Sequence, residues 1–342
     1  MMARRFFIVL CVVPLLLVTG GAVFLLWALS PADAEDGRAV RMEVPAGSSA
    51  RFVARKLEEA GLVRDGSAFY LLARIGFIPH DFKAGTYELS PSQSAGGIAR
   101  ALSEGRQAYV VVSFPEGLTL SKMARIVEES GLCPADDFIA AARDPAIIAS
   151  RAVPASTLEG YLFPDTYYLT PGMSAEEIVR LMLDNFYAKL DALGVSPQTE
   201  PRSLHESIIL ASVVEREYRA EEEAPLIASV FANRLRDGIG LYSCATIEYI
   251  ITEIQGRPHP DVIRYSDLEI DSPYNTYKWA GLPAGAISNP GLVALSAVLN
   301  PVRTDYYFFR LTDPQSGTHT FSKTFDAHVA AESLRTKKAA GR

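Results

Sequence analysis

From Phe6 to Leu29 the chain carries no charged side chain and is mostly apolar. At ~1.5 Å per residue such a run can cross a hydrocarbon core of ~30 Å. Arg4 and Arg5 precede it; Asp33, Glu35 and Asp36 follow it. The positive-inside bias therefore predicts a cytoplasmic tail over residues 1–5, a span over 6–29, and the rest of the chain beyond the cytoplasmic membrane. A cleaved signal peptide is the competing reading, with Ala32-Asp33-Ala34 as the cut. Signal cores run to only ~7–15 residues, which favours an uncleaved anchor. Pro14 and Gly20-Gly21 weaken a helix, but membranes tolerate both.

Residues 30–40 are polar with Pro and Gly and read as a linker. A repeat follows over 41–150. Val44-Pro45-Ala46-Gly47 returns as Phe114-Pro115-Glu116-Gly117. In the same register Ala54-Arg55 matches Ala124-Arg125, and Gly61-Leu62 matches Gly131-Leu132. Each copy predicts a strand, a Pro-x-Gly turn and a helix stopped by Gly. One helix keeps Val53, Leu57 and Ala60 on a face, the other Leu120, Met123, Ile126 and Val127. Shorter helices are expected near Phe69–Ile75 and Asp137–Arg143, and strands over Tyr87–Leu89 and Ala108–Phe114. This strand–helix–helix–strand unit resembles the LysM-like fold, whose modules bind the N-acetylglucosamine-containing backbone of peptidoglycan and chitin. A small scaffold that binds nothing has the same pattern, and the two readings stand level.

A boundary is expected near Pro154–Ser156, with a mixed α/β catalytic domain over 151–335 and an α+β fold for the exported part as a whole. A helix is predicted from Ser174 to Leu193, with Ile178, Leu181, Met182 and Phe186 inward, and Ser196–Arg202 reads as a connector. A helix from Leu204 to Tyr218 comes next. Its apolar residues run almost unbroken to Glu215. A carboxyl beside such a surface is partly desolvated, which raises its pKa towards that of a general acid. Ala211 and Ser212, one turn back, are small enough to let a sugar approach. The competing reading pairs Glu215 with Arg219 on a solvated face. Glu217, turned about 200° away, suits solvent. Glu221-Glu222-Glu223 opens the next helix, where acids favour the dipole. From periodicity alone the two readings of Glu215 are level.

The net charge of −7, without a basic stripe, argues against nucleic acid. His80, His205, His259, His319 and His328 are scattered without metal-ligand spacing, so neither a metal nor a cofactor is expected. Cys11, Cys133 and Cys244 allow at most one bridge. Tyr274-Asn275-Thr276-Tyr277, in a Pro/Gly-rich loop, offers the stacking faces and amides that sugars use.

Several ordered motifs carry a family resemblance: L-E-G-Y-L-F-P-D-T-Y at Leu158–Tyr167, L-A-S-V-V-E-R-E at Leu210–Glu217, V-F-x-N-R-L at Val230–Leu235, Y-N-T-Y at Tyr274–Tyr277, G-L-P at Gly281–Pro283, I-x-N-P-G at Ile287–Gly291, and H-x-F-S-x-T-x-x-x-H from His319 to His328. This half of the chain resembles the endolytic murein transglycosylases, the MltG or YceG-like family, and the anchor and LysM-like region fit that layout. The resemblance implies that Glu215 is catalytic and that Glu223, Asn233, Tyr274, Asn275 and His319 line or support a cleft for substrate. It implies cleavage of the N-acetylmuramic acid–N-acetylglucosamine bond of nascent strands, with 1,6-anhydro ends and no cofactor. Peptidoglycan glycan strands are the implied partner, with cell-wall synthesis enzymes alongside. Two departures stand out. Leu241-Tyr242-Ser243-Cys244-Ala245-Thr246 replaces the family's frequent L-Q-T-D-P-T, and Val329 replaces an Asn after the last His. Three alternatives remain. One is a hydrolase whose second carboxylate is Glu223 or Asp165, another a non-catalytic peptidoglycan-binding scaffold, the third a protein-interaction module.

Overall fold

The computed structural model describes residues 19–21, 23–195 and 201–331. Most of the expected span, Cys11, residues 196–200 of the 196–202 connector and the last residues of the 151–335 region lie outside the described residues. Among the described residues no helix is long and apolar enough to cross a membrane. The architecture is mixed α+β, mostly helical, with three two-stranded sheets among the described residues.

The chain divides into two compact units. One runs to Val110 and includes Tyr168–Gly172; the other holds Val111–Tyr167 and everything from Met173. In the first, β1 (Val40–Val44), α1 (Ala50–Glu59), α2 (Gly66–Arg74) and β2 (Gly85–Leu89) realise the strand–helix–helix–strand order. β1 and β2 pair antiparallel, Val40 opposite Leu89 and Val44 opposite Gly85. Ser49 caps α1 and Asp65 caps α2, each accepting a backbone N–H. A Cβ at Gly66 would lie 2.7 Å from the carbonyl oxygen of Ala54, so glycine is what lets the two helices pack backbone to backbone. A further helix, α3 (Ala95–Glu104), is absent from the sequence expectation. Gly96 and Gly97 lower its propensity. The Ser94 cap and the buried row Ile98, Ala99 and Leu102 outweigh them.

The second copy begins with β3 (Val110–Ser113, its first residue in the first unit) and continues with α4 (Leu120–Glu129), α5 (Ala135–Ala141), an extra short helix α6 (Pro145–Ser150), and β4 (Thr166–Leu169, its last two residues in the first unit), which pairs with β3. α7 (Ala175–Ala192) starts in a Ser174/Glu177 capping box. It buries Ile178, Val179, Met182 and Phe186, whereas Leu181 is exposed. The buried stripe is centred on the 178–182–186 row, and Leu181 falls past its edge.

α8 (Pro201–Val214) starts on Pro201, inside the predicted connector, as proline's fixed φ and missing N–H allow at a first helical position. It ends four residues before Tyr218, the predicted end. After it come a 3₁₀ turn (Glu221–Glu223), α9 (Ala224–Arg236) and α10 (Cys244–Tyr249). A π turn (Ile250–Ile254) and a second 3₁₀ turn (Tyr265–Glu269) lead to α11 (Leu292–Leu299) and the antiparallel hairpin β5 (Phe308–Asp313) and β6 (Thr318–Ser322). Cys133 and Cys244 are both free, so the one bridge open to them is not formed.

Candidate active site

Glu215 stands where α8 stops. Its N–H still reaches the Ala211 carbonyl at 2.8 Å, but Arg216 and Glu217 bond three residues back, to Val213 and Val214. This tightened turn aims the Glu215 carboxyl at the 289–291 loop. Gly291 N–H donates to Glu215 Oε2 at 2.9 Å, and the Tyr218 hydroxyl donates to both carboxyl oxygens at 3.2 Å. Burial, helped by the Glu116 charge, raises the Glu215 pKa to about 7 against these two donors. Among the described residues no ion pair joins Glu215 to Arg219, which packs against Gly317 instead. The solvated i,i+4 reading therefore fails.

Ala211 and Ser212 do not open a path for sugar, as the sequence suggested. Both are fully buried. The Ser212 hydroxyl donates to the Ile209 carbonyl at 2.7 Å and accepts the Ile287 N–H at 3.0 Å; the Ser212 carbonyl accepts Ser288 Oγ at 3.0 Å. Their small size seats the loop that delivers Gly291.

The same loop is braced from behind. Asn289 Oδ1 accepts the Gly160 and Leu162 N–H groups at 2.9 and 3.0 Å, while its Nδ2 donates to the Leu118 carbonyl and to Glu159 Oε1. Glu159 also accepts the Leu120 N–H. Burial raises its pKa to about 8, so it is held largely protonated at neutral pH. The Gly117 N–H donates to the Asn289 carbonyl at 3.0 Å. A Cβ on Gly117 would lie 3.4 Å from Glu215 Cγ. Three sequence-distant motifs thus converge on one carboxyl.

The other expected site residues are placed as follows. Glu223 and His319 are partners: the His319 N–H donates at 3.0 and 3.1 Å, and Nδ1 lies 2.7 Å from Glu223 Oε2. Glu223 therefore clamps β6 rather than merely answering a helix dipole. Asn233 donates to the Thr304 and Tyr306 carbonyls and accepts from Arg236, tying 304–306 to α9. Asn275 donates to the Leu268 and Ile270 carbonyls and accepts the Tyr277 N–H, which closes its own loop. Tyr274 packs on Tyr249 at 5.1 Å between ring centres, beside the Ile247–Ile250–Ile251 cluster. Asp165, the other carboxylate considered for a hydrolase, pairs with Lys189 and Asn185.

A model described as the YceG-like family matches residues 42–333. This chain belongs to the YceG-like family. Two relatives are named endolytic murein transglycosylase. The one from Bacillus subtilis is 30% identical over 334 residues, covering 92% of this chain and 90% of the relative. The one from Streptococcus pneumoniae is 30% identical over 356 residues; the match covers 94% of this chain but 64% of that longer relative. A crystal structure of a yceG-like protein from Listeria monocytogenes superposes with a TM-score of 0.57 at 32% identity, covering 86% of this chain and 99% of that one.

The departing segment of this YceG-like chain borders a cavity of about 530 Å³ lined by Glu217, Arg234, Tyr242, Cys244, Tyr277 and His319. Glu217 is not solvated as its helical angle suggested, because the helix has already ended. It accepts from Ser243 Oγ, and burial raises its pKa to about 7. Tyr242 adopts a positive φ of 49°, which is uncommon for a bulky residue. Cys244 Sγ meets the Tyr277 hydroxyl at 3.0 Å.

Sequence reasoning passed over Glu116, Glu159, Asn289 and Glu217 as functional residues. One signal was available for Glu116: the first copy of the repeat has Ala46 at that position. Nothing in the spacing of Glu159 and Asn289 foretold their meeting.

Proposed function

We propose that this chain is an endolytic murein transglycosylase. It would cut between N-acetylmuramic acid and N-acetylglucosamine, with Glu215 as the acid. The observation that carries this reading is the Glu215 carboxyl, half-buried, raised to about 7, and fixed by Gly291 and Tyr218 in a chain of this family. A carboxylic acid with that pKa is about half protonated at neutral pH, and the protonated form can give its proton to a leaving oxygen. The C1–O bond then breaks and its electron pair leaves with the oxygen, which takes the proton. The charge at C1 is shared with the ring oxygen and the sugar's own acetamido group. Glu215, now a carboxylate, accepts the proton of the muramic acid 6-hydroxyl as that oxygen bonds to C1. The nucleophile is already part of the substrate, so proximity lowers the barrier.

The proposal extends to location. Residues 6–29 anchor the chain, residues 1–5 face the cytoplasm, and the folded part works beyond the membrane, close to nascent strands and the enzymes that make them. The βααβ unit of 40–89 is the LysM-like module, with glycan binding and a non-binding scaffold as level readings of it. Protease treatment of spheroplasts tests the topology: the folded part is expected to be digested from outside.

The deciding experiment incubates the full-length chain in membranes, as wild type and Glu215→Gln, with uncrosslinked glycan strands and reads the new ends by mass spectrometry. Anhydromuramic ends are expected from wild type, with a loss of about 10²–10⁴-fold in the variant. Reducing ends would mean a hydrolase. Retained binding without cleavage by either form would mean a scaffold.

A further inference from the structure

The Glu215 carboxyl has a second carboxyl beside it. Gly291, whose N–H holds Glu215 Oε2, also lies against Glu116. A Cβ built on Gly291 would fall 1.8 Å from Glu116 Oε1 and 2.0 Å from Cδ. The neighbouring Gly117 is the residue that abuts Glu215 Cγ. Two contacts therefore bring the β3–α4 turn and the acid together, and Glu116 is exposed on that turn, where substrate can reach it.

The turn does not need a glutamate to form. The first copy builds the same Pro-x-Gly turn with Ala46, and its Gly47 has φ 76° against 75° for Gly117. Backbone demand is equal in the two copies. What differs is the acid: only the second turn packs against Glu215. Gly291 itself has φ −83°, open to any residue, so conformation does not require glycine there. The space a Cβ would take is filled by the exposed end of the Glu116 side chain, so a methyl at 291 would have to displace that carboxyl.

We propose that Glu116 is the positioning carboxylate of the Glu215 centre, a charge set beside the acid through Gly291 to hold the proton on Glu215. This rests on Glu215 being the acid of the proposed reaction. Among the described residues the charged and titratable groups facing Glu215 are few. Glu116 comes from the β3–α4 turn; Arg216 and Tyr218 come from its own segment; the 289–291 loop offers only an N–H. Arg216 is committed to Glu248 at 2.8 Å, and Tyr218 donates a hydrogen bond that favours the charged acid. Among the described residues Glu116 is the neighbouring charge that opposes them.

The test uses full-length wild type, Glu116→Gln, Glu116→Asp and Gly291→Ala in membranes or detergent. Two quantities are read: the pH profile of strand cleavage, and the titration of the Glu215 carboxyl by NMR of ¹³C-glutamate, assigned with Glu215→Gln. Loss of the charge in Glu116→Gln is expected to move both the alkaline limb and the titration down by roughly 0.5–1 pH unit, the size of a nearby partly solvated charge. Glu116→Asp is expected to keep both near wild type. In Gly291→Ala the new methyl displaces the Glu116 carboxyl without backbone strain, and the shift is expected in the same direction as for Glu116→Gln. Wild-type limb and titration in Glu116→Gln would overturn the proposal. Activity surviving in Glu215→Gln would instead overturn the reading of Glu215, and the NMR titration would still report on Glu116.

Discussion

At the scale of single residues, the site is one carboxyl poised by opposing neighbours. Burial raises Glu215 to about 7, while Gly291 and Tyr218 lower it. With Glu215 as the acid of the proposed reaction, only its protonated form works, so cleavage is expected to hold at acid pH and fall as pH rises through about 7. Tyr218→Phe removes a donor that favours the charged form. The Glu215 pKa must then rise further, and the alkaline limb should move up by roughly 0.5–1 pH unit, opposite in sign to Glu116→Gln. A pH profile of kcat/KM for the two variants checks this; movement in the same direction would contradict it. Much of this was legible in the chain. The apolar run into Glu215 pointed to a desolvated acid, and the family resemblance resolved it against an Arg219 pair. The identity of its neighbours was not legible, because Gly291 and Glu116 come from segments 76 and 99 positions away, and periodicity reports nothing beyond one element.

At the scale of elements, α8 ends early and a loop takes over its last turn. The sequence pattern extended the helix to Tyr218, since nothing between Val214 and Tyr218 is a helix breaker. Tertiary contact, not propensity, stops it. Ser212 is the joint between helix and loop. Ser212→Ala would strand the fully buried Ile287 N–H, a loss of about 1–3 kcal/mol. Ser207→Ala, on the exposed part of α8, should stay within about 0.5 kcal/mol. Denaturant midpoints of the two variants test the difference; equal midpoints would remove the joint from the account. Elsewhere the patterns read well where caps and apolar rows agreed, as in α1, α2, α4 and α7. They failed where two glycines masked α3.

At the scale of the whole molecule, several buried acids hold protons that an unfolded chain would release. Glu159 titrates near 8, and Glu215 and Glu217 near 7, each raised from 4.5 mainly by burial. Between those limits the folded state binds more protons than the unfolded one, so their contribution to stability is full below about 4.5 and is lost as pH rises towards 8. His205, lowered by burial, acts oppositely around its ordinary value of 6.5, but it is one group against three. Asp165 is lowered from 3.8, and its contribution is already constant across the window. Urea midpoints at pH 5 and pH 8 should therefore show the lower stability at pH 8. A midpoint that rises with pH would refute the proton count.

The Asn289 brace has a consequence for the order of events during synthesis. Its side chain binds residues 171, 130, 129 and 127 positions earlier, and Gly291 binds Glu215 across 76. Closing such separations is the slow part of folding, whereas a helix such as α8 forms locally and early. A ribosome-bound chain therefore exposes the helix and its glutamate long before residues 289–291 are made. Until they dock, Glu215 lacks the Gly291 N–H contact that fixes it in the folded chain. In the proposed reaction the loop thus acts as a timer, arming the acid only once residues 289–291 have been made and have docked.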